Sequence, residues 1–299
     1  MRSLRWRGRI IPAAPVRTVP TWVLLTPALV VVLGLFGGGL ALGALRSLDA
    51  DPLPGQMAWS LAAWGRVLGD GGTWASFGLS LWIAGASTLL SVLFGVAVAL
   101  MLRGAFRGRA LASWLVQLNL AVPHLVGAVG ILYLLSQSGV LARIAFAAGA
   151  IEGPADFPAL IWDPWAAGIV LQYVWKEVPF LALVTLAALQ GIGRDYEAAA
   201  RSLGAGPARA FAHVTWPQIR PAVTGGAVIV FAFAFGAYEI PALLGASYPK
   251  AMPVLAWERF TDPDLARRPE AMALALLIAA LCGALVLAGA RGLRLGGVR

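Results

Sequence analysis

Six stretches of this chain run with almost no ionisable side chain, and no other feature constrains its fold as strongly. Thr18–Leu45, Gly71–Leu102 and Ala110–Ala142 contain no charged residue. Pro164–Gly193 is interrupted only by Lys176-Glu177, Ala222–Tyr238 is clean up to Glu239, and Ala271–Ala290 is clean throughout. A helix rises about 1.5 Å per residue, so about 20 apolar residues cross about 30 Å of hydrocarbon. No water satisfies backbone groups there, and a helix is the default spanning form. Barrel strands would be about half as long and would alternate apolar with polar residues, which these windows do not. Composition agrees: 60% of the 299 residues are hydrophobic and 12% are charged, against roughly 25% charged in a soluble domain. The expected fold is an all-α integral membrane domain of six transmembrane helices, near Trp22–Leu45, Trp74–Leu102, Leu111–Leu135, Trp165–Gln190, Ala222–Leu244 and Ala271–Ala290.

The net charge of +9 raises nucleic acid as a partner, but the charge sorts by loop instead. With the N-terminus inside, the inner segments hold 15 basic residues against two acids, Asp195 and Glu197, while the outer loops hold 7 basic and 10 acidic residues. Cytoplasmic loops carry such an excess of Lys and Arg. The pattern predicts both termini inside, a multi-pass protein of a bacterial-type cytoplasmic (inner) membrane, lipid contact, and no nucleic acid. Residues 1–20 read as a basic cytoplasmic segment, 21–290 as the six-span domain with an inner loop at 191–220, and 291–299 as a basic cytoplasmic tail. The first apolar stretch, at about 25 residues, exceeds a signal-peptide core and is expected to be retained. Cys282 is the only cysteine and sits mid-span, which suggests neither a disulfide nor a thiolate metal site, and no His/Cys/Asp grouping has metal-ligand spacing.

The inner loop between the fourth and fifth spans is about thirty residues long, where a plain connector would need a quarter of that. Its sequence reads as two short helices about a glycine turn. Asp195 caps the first and Glu197 favours its N-terminal end through the helix dipole. Ala198-Ala199-Ala200-Arg201-Ser202-Leu203 propagates it, and Gly204 suits a left-handed stop. Gly206-Pro207 starts the second helix, which is expected to end at Trp216-Pro217. Ala208, Phe211 and Ala212 give that helix a small apolar face with one aromatic knob, the form of a docking element for a cytoplasmic partner.

This loop resembles the EAA loop of binding-protein-dependent ABC importer permeases of the type I fold, with the pattern E-A-A-x3-G-x9-I-x-L-P. With the glycine on Gly204, Ala199 and Ala200 fall on the two alanines, Val214 on the isoleucine, Trp216 on the leucine and Pro217 on the proline. The glutamate position falls on Ala198, with Glu197 one residue early, which turns the side chain by about 100°. The resemblance covers about residues 70 to 290. It implies that Glu197, Ala199, Ala200, Gly204, Pro207, Phe211, Val214 and Pro217 belong to coupling helices that rest on ATPase subunits. It implies two such subunits, a second permease chain (related or identical) and an extracytoplasmic solute-binding protein. It also implies ATP and Mg on the partner subunit and no cofactor on this chain. In keeping with that, the sequence lacks a G-x4-G-K-[ST] phosphate loop. The chain is therefore expected to be a transport subunit without an ATPase site of its own, and a polyamine-like solute is the first expectation for its cargo. The alternative from another class is a secondary carrier, a channel or a membrane-embedded enzyme, although no internal repeat of the carrier kind is visible.

Ionisable and amide groups inside spans are the candidate path residues. An ionised side chain at mid-bilayer costs about 2.5–3.5 kcal/mol on insertion scales, so Glu239 is expected to face the bundle interior, water or a partner. Glu239 precedes Pro241 and follows Tyr238, and it is read either as a gate residue or as a group solvated near the outer interface. Lys176 and Glu177 are expected to neutralise each other, while Asn119 and His124 are read as interhelical hydrogen-bonders or path groups.

Overall fold

Asp70 opens the longest helix of the molecule by accepting a hydrogen bond from the Gly72 N–H at 3.0 Å, the usual service of an N-cap carboxylate. The computed structural model describes residues 20–48, 59–192 and 195–296. The basic segment expected at 1–20 and the end of the tail expected at 291–299 therefore lie outside the described residues, apart from Pro20 and the helical backbone to Gly296. The chain divides into two compact units, residues 1–43 and 44–299. The first consists, as far as it is described, of a helix: α1 (Thr21–Val31), a π-helical segment Val32–Gly37, and the start of α2 (Gly38–Ser47).

The second unit follows with α3 (Ala62–Gly69), α4 (Gly71–Arg103), α5 (Arg109–Ala121), α6 (His124–Leu135) and α7 (Val140–Ala147). Then come α8 (Ala167–Gly191), α9 (Asp195–Ser202), α10 (Pro207–Ala210), α11 (Trp216–Gly236), α12 (Glu239–Leu244), α13 (Met252–Thr261) and α14 (Arg268–Gly296). Among the described residues no strand occurs. Six helical stretches are long and apolar enough to cross a membrane: Trp22–Ser47, Gly71–Arg103, His124–Ala147, Ala167–Gly191, Pro207–Gly236 and Leu265–Arg291.

Two expected spans are broken. The third, expected to be continuous over Leu111–Leu135, breaks at Val122-Pro123, where Val122 takes an extended conformation ahead of proline. The long apolar stretch found there is instead His124–Ala147, and α5 precedes it as a separate helix. The fifth, expected over Ala222–Leu244, stops at Gly236 and resumes as α12 at Glu239. By contrast, Pro179 lies within α8 and Pro221 within α11 without ending either helix.

α4 and α8 form the centre of the second unit, made possible by small residues. A Cβ on Gly95 would fall 2.7 Å from Leu181 Cβ, and one on Gly226 of α11 2.7 Å from Leu181 Cδ2. One core gathers Ile83, Ala128, Ile169, Tyr173, Phe235 and Leu274, and a second, towards the inner loop, gathers Val96, Ala99, Leu189, Ile219 and Val223. At the opposite end, Glu270 is buried and pairs with Arg66 at 2.5 Å and Arg259 at 3.2 Å. Arg259 also reaches Asp70 at 3.6 Å. The Gly72 N–H holds the Asp70 carboxyl below its ordinary value against an opposing desolvation, with the Thr73 hydroxyl and Arg259 adding to the lowering.

Candidate functional site

The long inner loop folds much as its residues predict up to Pro207 and differently beyond it. α9 carries Asp195 and Glu197 in its first turn; its N-terminal flank, residues 193–194, lies outside the described residues. Gly204 adopts φ +86°, the left-handed stop, and Pro207 stands at the start of α10. The second helix does not end at Trp216-Pro217. It passes through a π-helical segment, Phe211–Thr215, straight into α11. Pro217 directly follows the π-helical segment and does not end the helix. The docking element and the fifth span are thus one continuous rod from Pro207 to Gly236.

Glu197 braces this rod. Its Oε1 accepts from the Arg103 guanidinium at 2.7 Å and from the Thr215 hydroxyl. Arg103 is the last residue of α4, and Thr215 is buried at the end of the π segment, so one carboxylate joins α9 to the second and fifth spans. Neither partner was legible in the sequence; the only signal was that Arg103 is the first charge after a clean span. Phe211 is half-buried, with its ring centroid 6.2 Å from that of Trp216 and its side chain against the second core. Ala199, Gly204, Pro207 and Pro217 are exposed, and Ala200 and Val214 are half-buried. A cavity of about 530 Å³ opens between Arg103, Glu197, Arg201, Pro207 and Phe211.

The structure brings Asn119, His124 and Lys176 together at the break of the third span, and places Tyr238 and Glu239 at the break of the fifth. Lys176 and Glu177 take different partners. Lys176 Nζ donates to the carbonyls of Asn119 (2.6 Å), Leu120 (3.3 Å) and Val122 (2.5 Å), while Glu177 Oε1 meets His124 Nε2 at 3.1 Å. The two neighbouring side chains thus hold different hydrogen-bond partners. Gln172, not singled out by sequence, donates from Nε2 to the His124 carbonyl at 3.0 Å. Tyr173 is fully buried, and its hydroxyl has no hydrogen-bond partner among the described residues.

Glu239 is exposed and heads α12. Tyr238 packs against Trp257 with ring centroids 5.7 Å apart. Both rings line a cavity of about 580 Å³ shared with Trp162, Asp163, Pro241 and Lys250. Two breaks with polar groups beside them thus accompany a continuous rod that leads to the exposed loop.

Comparison with known proteins agrees. Residues 91–293 match the family described as "Binding-protein-dependent transport system inner membrane component". The molybdenum transport system permease protein ModB of Mycobacterium tuberculosis is 33% identical over 220 residues, covering 71% of this chain and 77% of the relative. The putrescine transport system permease protein PotI of Escherichia coli is 29% identical over 228 residues, covering 75% and 74%. A solved bacterial ABC transporter involved in importing the acidic polysaccharide alginate shares the fold, with a TM-score of 0.75 over 92% of this chain and 94% of that one, at 19% identity. The chain belongs to the family of inner-membrane permease components of binding-protein-dependent ABC importers.

Proposed function

We propose that this permease couples to separate ATPase subunits through the 191–220 loop and forms one side of a translocation path that passes Tyr238 and Glu239. The observation that carries the reading is the Glu197 brace, which ties the loop to α4 and to the Pro207–Gly236 rod. Because Glu197 is engaged inside the chain, its work is to transmit a push from Gly204, Pro207 and the exposed face of α9 rather than to bind the ATPase itself. The partners are two ATPase subunits holding ATP and Mg, a second permease chain and an extracytoplasmic binding protein, with both termini of this chain cytoplasmic.

For cargo, the relatives at 33% identity, named as molybdenum transport permeases, favour a molybdenum oxyanion, the form molybdenum takes in neutral water; relatives at 31% are named as thiamine transport permeases. A polyamine-like cation is the second reading; it is supported by the exposed carboxylate of Glu239 and by the putrescine relative. The deciding experiment reconstitutes the assembled complex in vesicles and measures ATP-driven uptake of molybdate, putrescine and thiamine in parallel. Uptake of none of the three, or ATP turnover by this chain alone, would sink the proposal. Thiol labelling of single cysteines in the Gly204–Pro207 turn from each side of the membrane tests the orientation; labelling from outside contradicts it.

A further inference from the structure

The helices on the two sides of Val122-Pro123, α5 and α6, are attached to the rest of the chain in different ways. α6 is anchored by packing: Gly127, Ala128, Ile131 and Leu135 are buried, and a Cβ on Gly127 would lie 2.6 Å from the Trp175 ring. α5 buries none of its 13 residues. The hydrogen bonds found between α5 and α8 sit at the end of α5, where Asn119 Nδ2 donates to the Trp175 carbonyl at 3.2 Å and Lys176 Nζ reaches the carbonyls of Asn119 and Leu120.

The chemistry of α8 matches the break on both sides. A helix end leaves carbonyls without partners and carries partial negative charge, while the start of the next helix is partly positive. Lys176 puts its ammonium on carbonyls at this helix end, of which that of Asn119 also accepts from the Val122 N–H, and the following residue, Glu177, puts its carboxylate on His124, the first residue of α6. In broken spans of membrane carriers, unwound carbonyls coordinate mobile cations. Here a side chain that is 4% exposed supplies the cation, and its three N–H donors meet three acceptors.

We propose that Lys176 and Glu177 make residues 119–124 a latched hinge, about which α5 swings against the packed α6 during the transport cycle. Lys176 is then a positioning residue, a tethered ion in a carbonyl cage. The hinge rests on the importer reading, and the experiments separate the two. In the assembled transporter with Cys282→Ala, spin labels at Leu118→Cys and Leu125→Cys, both exposed in the native chain, report the distance across the break with and without trapped ATP. A change of roughly 2 Å or more is expected. An unchanged distance in a complex that takes up molybdate or putrescine overturns the hinge, whereas absence of ATP-driven uptake by the unlabelled complex removes the importer reading and the hinge with it. In parallel, Lys176→Ala should assemble and lose uptake about tenfold, equivalent to about 1.4 kcal/mol. Methylammonium, with three N–H donors, should restore part of it, and tetramethylammonium, with none, should not. Native uptake by Lys176→Ala, or a loss that both cations restore equally, contradicts the cage. Should Lys176→Ala fail to assemble, the label distances decide alone.

Discussion

The carboxylate of Glu197 receives the guanidinium of Arg103 at 2.7 Å, so that a residue of the inner loop is ion-paired to the last residue of the second span. The Arg103 side chain is 12% exposed and that of Glu197 31%, a setting in which a hydrogen bond to a charged group contributes about 1.5–3 kcal/mol. Arg103→Ala and Glu197→Ala should each lower the thermal stability of the assembled complex modestly and reduce ATP turnover stimulated by the loaded binding protein by a larger factor. The exchanged pair Arg103→Glu with Glu197→Arg should recover part of both losses. Additive losses in the double variant would show that the two residues act separately.

Gly204 offers a cleaner probe of loop conformation. Its φ is +86°, and no atom lies within 4 Å of where a Cβ would stand, so a substitution acts through the backbone alone. Gly204→Val should cost about 1–2 kcal/mol and weaken coupling, whereas Gly204→Asn, which tolerates the left-handed region, should stay close to native. Hydrogen exchange across α9 and α10 would check this; equal protection in all three proteins contradicts it.

Phe211 combines an outward and an inward role. It lines the loop cavity while its ring leans on Trp216 and the second core. Phe211→Ala is expected to weaken ATPase-subunit binding by about 1–3 kcal/mol and to lower the stability of the permease as well, with Phe211→Leu preserving the second property more than the first. Unaltered affinity in both variants would assign the ring to internal packing only.

Glu239→Gln should change uptake more than stability, because the side chain is exposed at the head of α12. The comparison is vesicle uptake of molybdate and putrescine against the melting temperature of the complex. Reduced putrescine uptake with molybdate unaffected would favour a cationic cargo, and unchanged uptake of both would make Glu239 a bystander.

Gly95→Ala tests the contact of α4 with α8. The added methyl would lie 2.7 Å from Leu181 Cβ and 3.2 Å from the Ala182 backbone nitrogen, so the helices must part. Overpacking of this kind costs about 1–3 kcal/mol. Gly225→Ala on α11, with open space around its Cβ position, is the matched control. Equal stability of the two variants would show that the spans yield freely.

Much of the frame was readable one dimension at a time. Uncharged length locates the spans, and the sequence Gly204-Ala-Gly-Pro207 specifies a stop and a restart because each residue restricts its own backbone. The breaks at Val122-Pro123 and Ala237-Tyr238 were only half legible: Pro123 announces the first, but whether a membrane proline bends or interrupts a helix depends on what receives the freed carbonyls. In the third span the receiver is Lys176, more than fifty residues away. A longer separation, 94 residues, hid the pairing of Arg103 with Glu197, since hydrogen-bond partners across a bundle leave no periodic trace. Proline after Trp216 suggests a helix end, whereas the helix passes through a π-helical segment just before Pro217 and continues to Gly236.

The π segment at Phe211–Thr215 gives the loop a sensitivity to residue number. A π turn holds one residue more than an α turn, and here that extra residue falls between the exposed loop and the membrane rod. Deleting a single residue there would turn the π turn into an α turn and leave the flanking helices in register, whereas inserting one in the regular helix beyond it would rotate the loop by about 100° relative to the fifth span. Such an insertion would carry Phe211 away from the second core. Between Pro207 and Trp216, therefore, the loss of one residue should be tolerated more readily than the gain of one.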